Sequence, residues 1–172
     1  MAFAPLPTRI ETERLVMTPQ HLGDAAWLAE LFTARGGGVV SIKAATGRIV
    51  TMQRVVEEQG IGARVLRAKP DGAPLGYCAI LVGRGTLDEP ELAYELLPTA
   101  QGHGYATEGS RALLDAAFHS GRSRIWSTVR AWNEPSFRVL ARLGFQRHYS
   151  TTDAQGELVW LLATRPSESG IG

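Results

Sequence analysis

The sequence predicts an α/β fold of the α+β type, a mixed sheet with helices packed on it. Three observations predict this fold. Strand-like and helix-like segments follow one another in the order β-α-α-β-β-β-α-β-α-β-β. Residues 69–74, Lys-Pro-Asp-Gly-Ala-Pro, are typical of a tight turn between two strands. Residues 107–118 place Leu113 and Leu114 in an apolar stripe at helical spacing, which favours a helix with one buried face.

The first half of the chain contributes a strand, two helices and three further strands. Residues 14–18 predict a strand that Pro19 ends. Apolar residues at helical spacing predict a helix over 21–33, and three consecutive glycines at 36–38 break it and begin a flexible segment. A second helix is predicted over 46–59. The strands that follow are predicted at 63–68, 75–82 and 91–97.

The second half alternates helices and strands before it closes on a strand pair. The predicted ranges are helix 107–118, strand 124–129, helix 133–143, and strands 146–150 and 158–163. Asn133 is suited to cap its helix, since its side chain can accept a bond from a free backbone N–H group. Pro135 fits the first turn, and Gly144 is a typical residue just beyond a helix C-terminus.

Length and composition favour one soluble domain. We expect a single domain over residues 1–172, with a core at about 10–165 and flexible termini. The formal net charge of +1 gives no global field that would favour nucleic acid or a membrane as partner. Cys78 is the only cysteine and lies in an apolar run, so we expect a buried thiol and a cytoplasmic location. The four histidines lack metal-ligand spacing, and we expect no metal.

The segment from Leu96 to Glu108 has the features of a phosphate-binding loop. A predicted strand ends, Gly102 and Gly104 follow, and a helix begins at once. The first turn of a helix has backbone N–H groups without intrahelical acceptors and a partial positive charge, which together favour a phosphate. A glycine-rich turn can also do no more than connect a strand to a helix. The glycines are not followed by the Gly-Lys-Ser/Thr motif of nucleotide triphosphatases. The third glycine of a dinucleotide-binding fold is also missing, so the loop matches neither nucleotide-binding motif.

Three motifs in order resemble the GNAT acetyltransferase superfamily. Residues 101–106, Gln-Gly-His-Gly-Tyr-Ala, resemble its Gln/Arg-x-x-Gly-x-Gly/Ala signature. Residues 133–136, Asn-Glu-Pro-Ser, with Leu-Gly-Phe at 143–145, resemble its downstream segment. Residues 11–15, Glu-Thr-Glu-Arg-Leu, resemble the start of its ribosomal-protein alanine N-acetyltransferase-like branch. The resemblance covers nearly all of residues 10–163 and implies a splayed, mostly antiparallel sheet.

The resemblance also implies acetyl-CoA as the donor and assigns residues to it. The backbone around Leu96 and Leu97 would bind the pantetheine arm like an added strand, and Asn133 would lie near that arm. The N–H groups of the loop would hold the pyrophosphate, with Gln101 shaping the loop. The expected donor-binding residues of the loop are therefore Gln101, Gly102, His103, Gly104, Tyr105 and Ala106.

Acetyl transfer from a thioester to an amine needs a proton acceptor, stabilisation of the carbonyl oxygen and a proton for the leaving thiolate. Glu95 is the leading candidate base, because strand alternation places it with Glu91 on one polar face. Alternatively, Glu91 and Glu95 can simply face solvent without a catalytic role. The tyrosine that many members use as acid is replaced by Leu140. The resemblance suggests Ser136 instead, although Ser136 also fits a helix-capping role.

Three functions remain open from the sequence. The chain can be an acetyltransferase for a protein α-amine, one for a small amine, or an acyl-CoA-binding module without activity. We expect the acceptor to bind against residues 21–64. The acidic residues Glu91, Glu95 and the Glu57-Glu58 pair are compatible with a cationic acceptor. Homodimerisation is compatible with the resemblance.

Overall fold

A computed structural model describes residues 3–167 of the 172-residue chain. Eight strands form one sheet, and four helices pack on it. The strands are β1 (Ile10–Glu11), β2 (Leu15–Pro19), β3 (Gly62–Ala68), β4 (Pro74–Leu81), β5 (Glu91–Leu96), β6 (Arg124–Arg130), β7 (Gln146–Asp153) and β8 (Gly156–Thr164). The helices are α1 (Ala25–Ala34), α2 (Ile42–Gln59), α3 (Tyr105–His119) and α4 (Glu134–Arg142).

The sheet has the order β1-β2-β3-β4-β5-β6-β8-β7 and is antiparallel at every pairing except one. The exception is β5 beside β6, which are parallel and pair at a single position, Glu91 opposite Trp126. Beyond that position the facing edges of the two strands are not paired with each other. The predicted mixed, mostly antiparallel and splayed sheet is therefore confirmed.

Helices cover both faces of the sheet because strand side chains alternate between them. On one face, α1 and α2 enclose a core that includes Leu28, Phe32 and Ile49 and touches Tyr77 of β4. On the other, α3 and α4 pack their apolar stripes against alternate strand residues such as Leu92. Cys78 is fully buried in this second core, and burial raises the pKa of its thiol, so its predicted packing role is confirmed.

The element boundaries differ from the predicted ones for local reasons. Helix α2 begins at Ile42, four residues before the predicted start, because the Ser41 hydroxyl caps it by accepting a 3.1 Å bond from the Ala44 N–H group. A 3-10 turn at Leu22–Asp24 precedes α1, where the sequence predicts one continuous helix. The short strand β1 is not predicted at all. Gly36, Gly37 and Gly38 all have positive φ between α1 and α2.

The described residues contain neither a membrane-spanning helix nor a metal-binding cluster. No helix within 3–167 has both the length and the apolar character to cross a bilayer. The same residues bring together no group of three or more side chains that could hold a metal ion. Except for its first residue, Ser167, the tail predicted to fray lies outside the described residues.

Candidate functional site

A groove of about 310 Å³ lies between the end of β5, the loop after it and the first turn of α4. Its lining includes Glu95 and Leu96 of β5, Gln101, Gly102 and Ala106 of the loop and α3, and Asn133 and Ser136 of α4. Most of the predicted donor-binding residues thus border a single groove. We refer to it below as the donor groove.

The loop that bounds the donor groove turns sharply into α3. Gly102 and Gly104 have φ of +79° and +80°, a left-handed conformation that other residues adopt only at a cost. Gly104 is the N-cap residue of α3, so the N–H groups of Tyr105 and Ala106 belong to the turn that lacks intrahelical acceptors. The two glycines therefore present the N-terminus of a 15-residue helix to the groove.

A cluster around Arg14 holds this loop against the first long strand. The Arg14 guanidinium donates to the Glu108 carboxylate at 2.6 Å and to the His103 carbonyl at 2.9 Å, and stacks 4.5 Å from the Tyr105 ring centroid. The Thr12 hydroxyl donates to the same carboxylate at 2.6 Å. Burial alone would raise the pKa of Glu108, but these hydrogen bonds outweigh it, so the pKa lies below its ordinary value. The negative charge of Glu108 in the first turn of α3 is therefore balanced by the Arg14 guanidinium.

The edge of β5 that faces the donor groove presents backbone groups that do not pair with β4. The Leu97 N–H group donates to the Leu75 carbonyl at 2.9 Å, and its own carbonyl accepts from Ala100. Because antiparallel ladder bonds alternate, Tyr94 and Leu96 direct their backbone groups to the opposite, open edge. The Gln101 amide donates to the Leu96 carbonyl at 3.3 Å. Among the predicted backbone positions, Leu96 thus lies at the open edge, whereas the Leu97 groups are already bonded.

A second cavity, about 440 Å³, fills the gap where β5 and β6 separate. Tyr94, Asn133 and Ser136 line both this gap and the donor groove, so the two spaces meet at these residues. The donor groove at the N-terminus of α3 and the gap between β5 and β6 are therefore neighbouring spaces that share part of their walls.

The residues at this junction can position and protonate a bound group. The Asn133 Oδ1 atom accepts a 3.4 Å bond from the Ser136 N–H group, which confirms Asn133 as the cap of α4. The Ser136 hydroxyl has no hydrogen-bond partner within residues 3–167. The Tyr94 hydroxyl donates to the Ser136 carbonyl at 3.1 Å, and burial raises the pKa of Tyr94 to about 12, so Tyr94 keeps its proton at neutral pH. Leu140 is fully buried in the core.

Glu95, the predicted base, lies in an ion pair that the sequence does not reveal. Its carboxylate accepts bonds of 2.8 and 2.7 Å from the Arg35 Nε atom, and the Tyr77 hydroxyl lies at 3.3 Å. The hydrogen bond to Glu95 raises the pKa of Arg35. Burial raises the pKa of Tyr77 to about 12. The charge of Glu95 is therefore neutralised by a neighbouring guanidinium.

Glu91 lies on the same face of β5 but borders the gap. It is 7% exposed, and its carboxylate accepts a 2.9 Å bond from the Thr128 hydroxyl of β6 and a bond from the Arg84 N–H group. The alternation of β5 is confirmed, because Leu92, Tyr94 and Leu96 face the opposite core. The sequence did not single out Thr128 or Arg35, and no local signal marks either one. In the sequence, Arg14 stands out only as part of the motif at residues 11–15.

The comparisons with known proteins agree with this geometry. The family model described as an acetyltransferase (GNAT) domain matches residues 14–146. The chain belongs to the GNAT acetyltransferase family. No curated protein matches its sequence significantly.

Solved structures match the fold over nearly the whole chain. The ribosomal-protein-S5-alanine acetyltransferase of Vibrio fischeri is 16% identical, with 95% of this chain and 100% of that chain covered at a TM-score of 0.79. RimJ of Mycobacterium smegmatis, solved with CoA-disulfide, is 20% identical, with 96% and 87% covered at 0.77. The Salmonella typhimurium protein yncA, solved with acetyl-CoA, is 16% identical, with 91% and 96% covered at 0.74. Identities this low establish the shared fold alone.

Proposed function

We propose that this protein is an N-acetyltransferase that transfers the acetyl group of acetyl-CoA to an amine by direct attack. The observation that carries the proposal is that the donor groove and the gap between β5 and β6 meet at Tyr94, Asn133 and Ser136. A long donor with a diphosphate at one end and a thioester at the other suits two adjoining spaces, the first of which begins at a helix N-terminus. The acceptor amine would then enter the gap from its other side.

The donor groove offers bonding groups of the right chemistry along its length. The N–H groups at the start of α3 suit the pyrophosphate, with Gly102 and Gly104 leaving room for it. The open edge of β5 at Tyr94 and Leu96 suits the amides of the pantetheine arm, which can pair with it as an extra strand would. Relatives of this fold have been solved with acetyl-CoA and with CoA-disulfide, which agrees with this assignment.

The gap contains groups that suit the proton transfers. Bound acetyl-CoA supplies the activated acyl group, and the chain moves the protons. The Ser136 hydroxyl, free within the described residues, would donate a proton to the departing sulfur. A carboxylate of β5 would accept the proton of the amine. Glu91 fits this role better than the originally predicted Glu95, because Glu91 borders the gap and Glu95 is paired with Arg35.

A thermal-shift measurement with acetyl-CoA tests the donor site. Saturating acetyl-CoA should raise the Tm, because it binds only the folded protein. Gly102→Glu and Ala106→Glu should each abolish this rise, because both positions line the donor groove and would place a carboxylate where the diphosphate would bind. Ala106 has ordinary helical geometry, so its variant tests the site even if the strained Gly102 variant does not fold. His119→Glu, at the exposed far end of α3, is the control and should retain the shift.

A thiol-release assay then separates an enzyme from a binding module. We expect acetyl-CoA-dependent release of free CoA with at least one amine from a panel of peptides and small amines. If acetyl-CoA gives a full thermal shift but no amine supports turnover, the proposed function would change from an enzyme to a non-catalytic acyl-CoA-binding module. No thermal shift at all would reject the donor site.

A further inference from the structure

A third cavity, about 470 Å³, lies on the opposite face of the sheet beneath α1 and α2. We call it the helix-side cavity. Its apolar lining includes Phe32, Met52 and Leu81, and its polar members are Gln20, Arg35, Arg48 and Thr51. A volume of this size suits a small molecule.

Gln20 places a polar side chain on the wall of the helix-side cavity. The residue is 7% exposed, and its backbone carbonyl accepts a bond from Gln53. Its side-chain amide forms no hydrogen bond within residues 3–167. An unbonded amide on a cavity wall can exchange water for a ligand group. The Gln20 amide therefore offers a donor and an acceptor to a molecule bound in this cavity.

Arg48, an exposed residue, gives the cavity lining a positive charge without an acidic partner among the described residues. The guanidinium groups of Arg35 and Arg48 lie 4.5 and 4.6 Å from the ring centroid of Phe32. Arg35 is neutralised by Glu95, whereas Arg48 has no acidic side chain within 4.0 Å among residues 3–167. The acidic residues Glu57 and Glu58 are exposed near the C-terminal end of α2 and do not line the cavity. Its charge therefore favours an anionic ligand, in contrast to the cationic acceptor with which the sequence was compatible.

Gly47 lies on the cavity lining within α2 and is exposed. A Cβ atom at this position would meet nothing within 4 Å, so the described residues leave open space here that a ligand can use.

The helix-side cavity adjoins the gap where the acceptor would react. Leu81 of β4 lines both spaces. We propose that the acceptor is a small amine with an apolar body and a carboxylate, like an amino acid, and that Arg48 and Gln20 bind its carboxylate. This inference rests on the proposed function and names its substrate class. The amine of such a molecule would point past Leu81 towards Glu91.

Calorimetry with matched probes tests the charge preference without any turnover. The probes are L-leucine, L-methionine and L-phenylalanine, each beside its carboxamide, which retains the amine and the side chain but lacks the negative charge. Titration is done with the protein alone and with saturating CoA. We expect at least one carboxylate to bind roughly 10- to 100-fold more tightly than its carboxamide, the range for a charge-assisted hydrogen bond.

Variants on α2 assign the preference to the cavity. Arg48→Gln should abolish the difference between carboxylate and carboxamide. Arg54→Gln, an exposed residue of the same helix outside the cavity lining, should retain it. Gly47→Leu should weaken binding of every probe while leaving the acetyl-CoA thermal shift intact.

The outcomes separate this inference from the proposed function. Equal affinity within every pair, tighter binding of the carboxamides, no binding of any probe, or an unchanged preference in Arg48→Gln would each overturn the carboxylate assignment. If that happens while acetyl-CoA still stabilises the protein, only the acceptor class is wrong. If carboxylates bind as expected but acetyl-CoA does not, the cavity stands as a ligand site and the proposed acetyltransferase function fails.

Discussion

Asp24 forms a buried ion pair whose loss should destabilise the fold with almost no change in side-chain shape. Its side chain is 2% exposed and accepts four hydrogen bonds. The His21 N–H group donates at 2.9 Å, the Trp27 indole at 2.8 Å, and the Arg67 guanidinium of β3 at 2.8 and 2.9 Å. These bonds connect the start of α1 to the sheet. Asp24→Asn retains the size but removes the charge and turns an acceptor into a donor.

The structure gives a magnitude for this change. Breaking a buried ion pair by removing one partner costs about 3–5 kcal/mol. The Arg67 side chain is 17% exposed and can regain some hydration, which places the expected loss at the lower end, about 3 kcal/mol. For a chain of this length each kcal/mol lowers the Tm by about 2–4 °C, so Asp24→Asn should lower it by about 6–12 °C.

Urea unfolding at pH 7 measures the loss. Glu30→Gln, an exposed carboxylate of α1, is the matched control and should change the free energy of unfolding by less than about 0.5 kcal/mol. Asp24→Asn and Arg67→Met should be strongly non-additive, since each removes the same pair. A loss below about 1 kcal/mol for Asp24→Asn, or simple additivity of the two changes, would refute the reasoning.

The same pair predicts a pH dependence. Burial alone would raise the pKa of Asp24, but the bonds from His21, Trp27 and Arg67 outweigh it, and the pKa lies below its ordinary value of 3.8. Because the pKa of Asp24 is lower in the folded than in the unfolded protein, the ionised carboxylate stabilises the fold above about pH 3.8. This stabilisation is lost as the pH falls through the folded-state pKa of Asp24. The stability difference between the native protein and Asp24→Asn should therefore shrink only on the acid side of about pH 4.

Two further predictions concern the donor groove and the gap. Arg14→Ala should weaken acetyl-CoA binding by about 3- to 10-fold in calorimetry, because the Glu108 carboxylate would then face the diphosphate uncompensated; unchanged affinity would contradict this role. Glu91→Gln should lower kcat by about 100-fold with acetyl-CoA affinity retained, whereas Glu95→Gln should lower kcat by less than about 3-fold. The reverse order of effects would return the base to Glu95.

The loop and its neighbouring elements could be predicted because their signals are local. Glycines at 102 and 104 are required by a left-handed turn, and the sequence shows them directly before the α3 stripe. Asn133 was recognised as a cap because capping involves residues three positions apart. The alternation of β5 likewise follows from a period of two, so the common face of Glu91 and Glu95 was predictable.

What the sequence could not predict are the partners of these residues. The bonds from Arg35 to Glu95, from Thr128 to Glu91 and from Arg67 to Asp24 join residues 60, 37 and 43 positions apart. No periodicity or spacing encodes such a pairing, because it depends on which strands become neighbours. The sequence by itself determined the order of the four helices and of seven of the eight strands, the glycine-rich turn before α3, and the family. Only the tertiary structure decided which carboxylate is neutralised and which borders the gap, because it sets the distances between charges on separate elements.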